Sequence, residues 1–255
     1  MDISAQSGPR TPAGHYEALL AEHYTWMFGV PFEAKVAEQR QLLERLGVRA
    51  ARGGASAVDL GCGPGFQSLA LAGLGFSVSA IDTSARLLDE LRAHAGTHPI
   101  RAVEGDLLDF MRNAAAASAA VVVCMGDTLT HVESRDAITR LFRDVARILE
   151  PGGVVVLTWR DLGTELHGTD RFILVNGDSD RVMTCFLEYA NQDVVVVHDL
   201  VHRREADGRW TLQKSSYPKL RLPADWVASA LEDAGLALEH RSTGRMTEVV
   251  ARRAS

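Results

Sequence analysis

The stretch Asp59-Leu60-Gly61-Cys62-Gly63-Pro64-Gly65 constrains this chain more than any other. It follows a short apolar run, Ala57-Val58, and opens a segment of helical periodicity from Phe66 to Leu74. A strand therefore runs into a glycine turn, and the turn into a helix. Three glycines at alternate positions let backbone come close to a ligand, because no Cβ stands in the way. Phosphate-binding glycine loops use the same idea at a helix N-terminus. The spacing here is different from the dinucleotide pattern G-x-G-x-x-G, since Phe66 follows Gly65. Asp59, placed before the glycines, repels a pyrophosphate and suits a ligand that carries an ammonium or a sulfonium.

The same rhythm continues downstream. Strands are expected near 57–60, 76–81, 100–104, 120–126 and 153–159, with helices near 65–74, 84–95 and 134–149. Strands separated by helices need crossover connections, and so a parallel sheet. After Trp159 the pattern changes to strand-like runs at Phe172–Val175, Met183–Tyr189, Val194–Arg203 and Trp210–Ser216, with Asp207-Gly208 as a hairpin signal. This predicts an antiparallel β insertion over 165–220, after strand 5, laid over the sheet. Pro223 starts a helix to Ala234, and Leu236–His240 and Met246–Ala251 form a closing hairpin at the sheet edge. The fold class expected is α/β, a Rossmann-like, doubly wound, mostly parallel seven-stranded sheet. Residues 15–255 are expected to form a single domain, and 1–14, rich in Ser, Pro and Gly, a disordered tail. Within 15–50 one helix is expected from Tyr16 to Phe28, and a second from Pro31 to about Leu46.

Charge and cysteine content narrow the partners. A net charge of −6 argues against nucleic acid, which requires a basic stripe. Three scattered cysteines, Cys62, Cys124 and Cys185, form neither a disulfide framework nor a metal site, which points to a reducing cytoplasm. No apolar run is long enough to span a bilayer, and the first residues lack an apolar signal core. His198 and His202 share a strand face, but no third ligand with metal spacing accompanies them. The inserted strands suit either an oligomer contact, with a homodimer as its simplest form, or a wall over a substrate.

Asp59 and the three glycines resemble motif I of the class I S-adenosylmethionine-dependent methyltransferases. The resemblance continues in order through Phe76–Asp82, Val103-Glu104-Gly105-Asp106-Leu107, Val121–Asp127 and Leu149-Glu150-Pro151-Gly152-Gly153. It implies S-adenosylmethionine as cofactor and a small-molecule acceptor methylated on N or O. The cofactor loop would comprise Asp59, Gly61, Cys62, Gly63 and Gly65, with Cys62 packed and unreactive. Asp82, 17 residues past Gly65, would hold the ribose hydroxyls beside Thr83. Gly105, Asp106 and Leu107 would meet the adenine, and Met125 would lie at the floor of the site. Asp106 also suits a helix cap. Asp127-Thr128-Leu129-Thr130-His131 would lie above the transferred methyl group. Asp127 and His131 are the catalytic candidates, and Thr128 and His131 are candidates for substrate contact.

The N-terminal segment, with Tyr16, Tyr24, Trp26, Lys35 and Arg40, is similar to the helical lid of the glycine and sarcosine N-methyltransferases. There a tryptophan covers the cofactor and a basic residue holds its carboxylate. Lysine stands at Lys35 where that subgroup has arginine, so Arg40 is a rival. Tyr16, Tyr189, His198 and Tyr217 complete the substrate candidates. Two other functions compete: an NAD(P)-dependent oxidoreductase, against which the glycine spacing and Asp59 count, and a non-catalytic S-adenosylmethionine-binding protein.

Overall fold

The computed structural model describes residues 10–50 and 53–254. In chain order the elements are α1 (Pro12–His15), a π-helical turn (Tyr16–Leu20), α2 (Ala21–His23), a 3-10 turn (Trp26–Phe28) and α3 (Phe32–Arg45). There follow β1 (Ala55–Leu60), α4 (Phe66–Gly73), β2 (Phe76–Asp82), α5 (Ala85–Ala95), β3 (Ile100–Glu104) and α6 (Leu107–Asn113). Next come β4 (Ala119–Cys124), a 3-10 turn (Thr128–His131), α7 (Arg135–Ile148) and β5 (Leu149–Trp159). After a 3-10 turn at Gly168–Arg171 stand β6 (Phe172–Gly177), β7 (Arg181–Tyr189), β8 (Val194–Arg204) and β9 (Trp210–Leu220). The chain closes with α8 (Ala224–Asp233), β10 (Leu236–Ser242) and β11 (Thr247–Arg253).

These elements form two compact units: one of Pro31–Leu162 with Leu222–Ser255, the other of Gly163–Arg221 with the described residues up to Val30. The helical span expected over 15–50 is split between the two units, and nearly all of the insertion expected over 165–220 lies in the second.

The first unit is built on a seven-stranded sheet of order β10-β11-β5-β4-β1-β2-β3. Neighbours from β3 to β5 are parallel; β11 pairs antiparallel with β5 and with β10. This is the doubly wound α/β architecture expected. Val121 to Val123 and Val155 to Leu157 are buried at every position, as strands covered on both faces must be. β2 alternates instead: Phe76, Val78 and Ala80 are buried while Ser77 and Ser79 are half-exposed. In α7 the apolar face of Ala137, Ile138, Leu141, Phe142, Val145 and Ile148 recurs every three or four residues, and all six are buried. Its N-terminus is closed by Ser134, whose hydroxyl accepts from the Ala137 N–H at 3.1 Å.

The second unit holds a separate antiparallel sheet of order β6-β7-β8-β9. Its strands are those expected, with β9 running on to Leu220 rather than stopping at Ser216. The N-terminal segment departs from the sequence expectation. Residues 1–9 of the expected tail lie outside the described residues, but residues 10–14 are ordered. The Arg10 N–H donates to Ser216 O at 2.7 Å, and Thr11 caps α1 by accepting from Gly14 N–H at 3.2 Å. Pro12 supplies a preset φ at the first helical turn, so the helix starts earlier than Tyr16. The single helix to Phe28 is also broken. The π turn inserts into the ladder and lets the adjacent Leu19 and Leu20 both enter the cluster with Met183 and Val201. The segment ends at Gly29, left-handed at φ +67°, where a Cβ would crowd Asn176 Oδ1 at 3.3 Å.

Candidate active site

The glycine loop lies between the end of β1 and the start of α4. Gly61, Gly63 and Gly65 all have positive φ, at +67°, +53° and +97°. At two of them a side chain is excluded by the protein itself. A Cβ on Gly61 would stand 2.3 Å from Thr128 Cγ2, and one on Gly65 2.1 Å from Leu91 Cδ1. Gly61 and Gly65 are therefore required by backbone conformation and packing, beyond any approach of a ligand. The loop is pinned to β2, whose Ile81 carbonyl accepts from the N–H groups of Gly61 at 2.8 Å and Cys62 at 3.0 Å.

Asp82, at the C-terminal end of β2, braces this loop. Its Oδ2 accepts from the Gly63 N–H and its Oδ1 from the Ser84 N–H, each at 2.8 Å. Burial pushes its carboxyl up, against the lowering effect of these backbone donors. The helix cap next to it is Ser84, so Asp82 is left to face the glycine loop. Its main-chain carbonyl accepts from Gly105 N–H at 3.0 Å, which ties the ends of β2 and β3 together. Thr83 is exposed between Asp82 and the cap.

Asp59 sits beneath the loop, 1% exposed, and accepts a 2.6 Å hydrogen bond from the Ser68 hydroxyl on α4. Desolvation raises its carboxyl to about 7, Asp82 adds repulsion, and Ser68 pulls the other way. Cys62 is buried, and burial followed by the charges of Asp59 and Asp82 lifts its thiol well above the ordinary range. It is a packed, unreactive thiol, as expected.

At the end of β3, Asp106 is the N-cap of α6. Its Oδ1 accepts from the N–H groups of Leu108 at 2.8 Å and Asp109 at 3.1 Å. Leu107 is the first residue of that helix. Gly105 and Asp106 also border an open groove between β3 and α6, which none of the glycine-loop residues lines.

After β4, Met125 is buried and Gly126, at φ +79°, donates its N–H to Thr158 Oγ1 at 2.8 Å. The next turn carries the catalytic and substrate candidates Asp127, Thr128 and His131. Asp127 takes the Arg160 main-chain N–H on Oδ1 at 2.9 Å and the Arg160 guanidinium on Oδ2 at 2.6 Å. Both oxygens are engaged, which anchors the chain after β5. Thr128 shares its one hydroxyl proton between the carbonyls of Gly61 and Met125, each at 3.3 Å, and so ties the glycine loop to the β4 turn. His131 ends the 3-10 turn and is half-buried. In the same unit Lys35 pairs with Glu38 at 2.8 Å and Arg40 with Glu44 at 3.4 Å, both along α3.

The remaining candidates lie in the second unit. Trp26 donates its indole N–H to Asp178 Oδ2 at 2.6 Å and lies under the Arg181 guanidinium, 4.4 Å from the ring centre. Tyr16 and Tyr24 pack against each other at 5.7 Å between ring centres. The strand register puts Tyr189 opposite Val195 and Tyr217 opposite Val197, on the buried face of the sheet. His198 points the other way and pairs with Glu188 at 2.7 Å. The three residues therefore do not form one wall.

Sequence reasoning missed a buried acid–imidazole pair in this unit. His15, fully buried, approaches Asp199 Oδ2 at 2.9 Å through Nε2 and stacks on Tyr217 at 4.1 Å. The signal was present: Asp199 falls in the buried phase of β8, among Val195, Val197 and Val201, where an acid needs a partner. Arg160 and Ser68 were also missed; nothing in their local pattern marks them. Among the described residues no group of three or more His, Cys, Asp or Glu side chains is arranged to hold a metal ion. No helix among them is long and apolar enough to cross a membrane.

Residues 57–153 match a methyltransferase domain. The segment begins in β1, contains the glycine loop and Asp82, and ends at the turn within β5. The cypemycin N-terminal methyltransferase of a Streptomyces species is 30% identical over 162 residues, 57% of this chain and 65% of that protein. The chain thus spans just under two thirds of that relative. A ubiquinone biosynthesis O-methyltransferase of Xanthomonas axonopodis pv. citri is 32% identical over 117 residues, 46% of this chain and 47% of that protein. Among solved structures, the sugar N-methyltransferase KedS8 from Streptoalloteichus superimposes with a TM-score of 0.71 at 21% identity, covering 100% of this chain and 99% of that one. At that identity the likeness establishes the fold, which is the α/β methyltransferase fold.

Proposed function

We propose that this protein is an S-adenosylmethionine-dependent methyltransferase that acts on a nitrogen or oxygen of a small molecule. The observation that carries the reading is the Asp82-braced glycine loop inside the methyltransferase-domain segment. The chemistry of this site fits the cofactor. Two carboxyl groups, Asp59 and Asp82, stand at the strand ends where a dinucleotide would bring its pyrophosphate. A nucleoside with a sulfonium and an ammonium, and no phosphate, is compatible with them. When bound, the cofactor supplies an activated methyl group on a positively charged sulfur.

The chain's own residues would hold and orient. Asp82 would accept hydrogen bonds from the ribose hydroxyls while keeping Gly63 in place. Asp106 and Leu107 would border the adenine. Methyl transfer is an in-line displacement, so much of the rate comes from positioning the two partners. The Thr128 bonds to Gly61 and Met125 serve this by fixing the β4 turn against the cofactor loop. A base is needed only where the acceptor loses a proton before or during attack. With Asp127 held by Arg160, His131 is the residue of the β4 turn left for that role.

Nitrogen is the favoured acceptor, supported by the N-terminal methyltransferase and the sugar N-methyltransferase among the proteins it resembles. The 32% identical O-methyltransferase keeps oxygen in contention. The finer likeness to glycine and sarcosine N-methyltransferases has less support, because Trp26 and Lys35 are engaged by Asp178 and Glu38. The three scattered cysteines and the net charge of −6 support a cytoplasmic protein that does not bind nucleic acid. Labelled S-adenosylmethionine offered with panels of amines, amino sugars, phenols and carboxylic acids tests the reading. Label transferred to a member of the amine panels supports it. Cofactor binding without transfer to any panel favours the non-catalytic alternative.

A further inference from the structure

We propose that the outer face of the antiparallel sheet is the contact between two copies of this chain. The inference goes beyond the methyl-transfer reading and rests on the second unit alone.

The four strands bury one face well. Met183, Leu187, Val195, Val197, Val201 and Tyr217 are each at most 4% exposed. An antiparallel sheet with one covered face normally turns polar residues outward. This sheet does so only in part. β8 begins with four consecutive valines, Val194 to Val197, so that both of its faces are apolar there. The register then builds the outer face row by row. Phe172, Phe186, His198 and Ser216 form one row; Leu174, Thr184, Leu200 and Lys214 the next; then Val182, His202 and Leu212; then Arg204 and Trp210. Phe172 is 57% exposed, Leu174 68%, Trp210 50% and Leu212 48%. Large apolar side chains scattered singly over a surface need no explanation, but contiguous rows of them mark an interaction site.

Size and charge point to a second copy as the occupant. Strands about 4.8 Å apart with a rise of about 3.4 Å per residue give a face of about 20 Å by 30 Å. Two such faces bury roughly 1,200 Å² in total, the lower bound of a standard stable interface. The charges are arranged for self-pairing. Glu188 is the one acid among the outer-face positions of the described strands; it pairs with His198 at 2.7 Å and lies beyond one end of the rows, opposite Val196, half of its carboxylate left for a further partner. Arg204 lies at the other end. A two-fold axis along the Leu174–Thr184–Leu200–Lys214 row brings the Glu188 end of one copy to the Arg204 end of the other. This is the isologous contact of a closed dimer. In that arrangement Leu200 meets its own counterpart near the centre, while Lys214, on the edge strand, reaches out to the solvent rim.

The test uses the full chain in sedimentation velocity. The wild type is expected at twice the chain mass of 27.7 kDa. Leu200→Glu and Leu200→Lys are each expected to run as monomers, since like charges face each other across the axis. An equimolar mixture of the two variants is expected to recover the dimer. Circular dichroism of each variant checks that it is folded. Should both charged variants misfold, Leu200→Cys decides: diamide is expected to link its two copies by a disulfide, while the wild type, whose Cys185 belongs to the opposite phase of β7, stays unlinked. A monomeric wild type overturns the proposal. So does a folded Leu200→Glu that stays dimeric, or a dimeric Leu200→Cys that fails to cross-link.

Discussion

Replacing Asp59 by asparagine isolates the electrostatic cost built into the floor of the glycine loop. The carboxyl is buried and raised from near 4 to about 7, chiefly by desolvation. The sign follows from linkage. A carboxyl whose folded pKa lies above its unfolded value binds its proton more tightly in the folded state. Its contribution to stability is present below about pH 4 and is lost as pH rises through about 7. Three units correspond to about 4 kcal/mol as a ceiling, at about 1.4 kcal/mol per unit. Asparagine is nearly isosteric, carries no proton to lose, and still offers an oxygen to the Ser68 hydroxyl. His23 works in the opposite direction: burial lowers its pKa, so it contributes stability that is lost as pH falls. The raw pH profile of the wild type therefore mixes these two with the raised carboxyl of Asp82, and the difference between wild type and Asp59→Asn, which includes the repulsion between the two acids, is the informative quantity. Carboxylates with lowered values, such as Glu248, titrate below this window and cancel in the difference. Urea unfolding at pH 5 and pH 8 measures it. The wild type should lose at most about 2–3 kcal/mol relative to Asp59→Asn between the two pH values, since about two of the three units fall in that window. Parallel profiles for the two proteins would refute the argument.

Three further outcomes are expected. Gly65→Ala forces a non-glycine residue to φ +97° and a Cβ to 2.1 Å from Leu91 Cδ1; strain of about 1–2 kcal/mol and overpacking of about 1–3 kcal/mol should lower the melting temperature by on the order of 10 °C. An unchanged melting temperature would show that the loop tolerates a side chain there. His131→Ala, assayed with an amine acceptor over a pH series, should cost less than about tenfold in kcat; a loss of about 10² to 10⁴, together with disappearance of a limb near pH 6.5, would make His131 a general base. Asp199→Ala should release His15 from its 2.9 Å pairing and increase hydrogen exchange in α1; unchanged protection of that segment would show that the pair does not hold it.

The α/β order was legible because local rules and global fold agree there. Strands ending at Asp82 and Glu104 and the apolar faces of α5 and α7 follow directly from spacing. The glycine spacing pointed to the right domain, but for an incomplete physical reason: Gly61 and Gly65 are required as much by Thr128 and Leu91 as by a ligand. Those contacts join residues 67 and 26 positions apart, and no local pattern records them. The hydrogen-bond partners of Asp127 and Thr128 were hidden in the same way, since Arg160 and Gly61 come from the ends of the neighbouring strands. The breaks in the N-terminal helix depend on which tertiary cluster Leu19 and Leu20 enter. Periodicity over a dozen residues does not carry that information.

Calorimetric titration of S-adenosylmethionine into wild type and Asp82→Ala, with NAD as control ligand, tests the central claim most directly. The variant removes the acceptor of the Gly63 and Ser84 N–H groups and the expected partner of the ribose hydroxyls. Charge-assisted hydrogen bonds contribute roughly 1.5–3 kcal/mol. The account predicts micromolar binding to the wild type, a ten- to hundredfold weaker affinity in the variant, and no comparable binding of NAD. Equal affinity in both proteins, or binding of NAD as tight as that of S-adenosylmethionine, would contradict it.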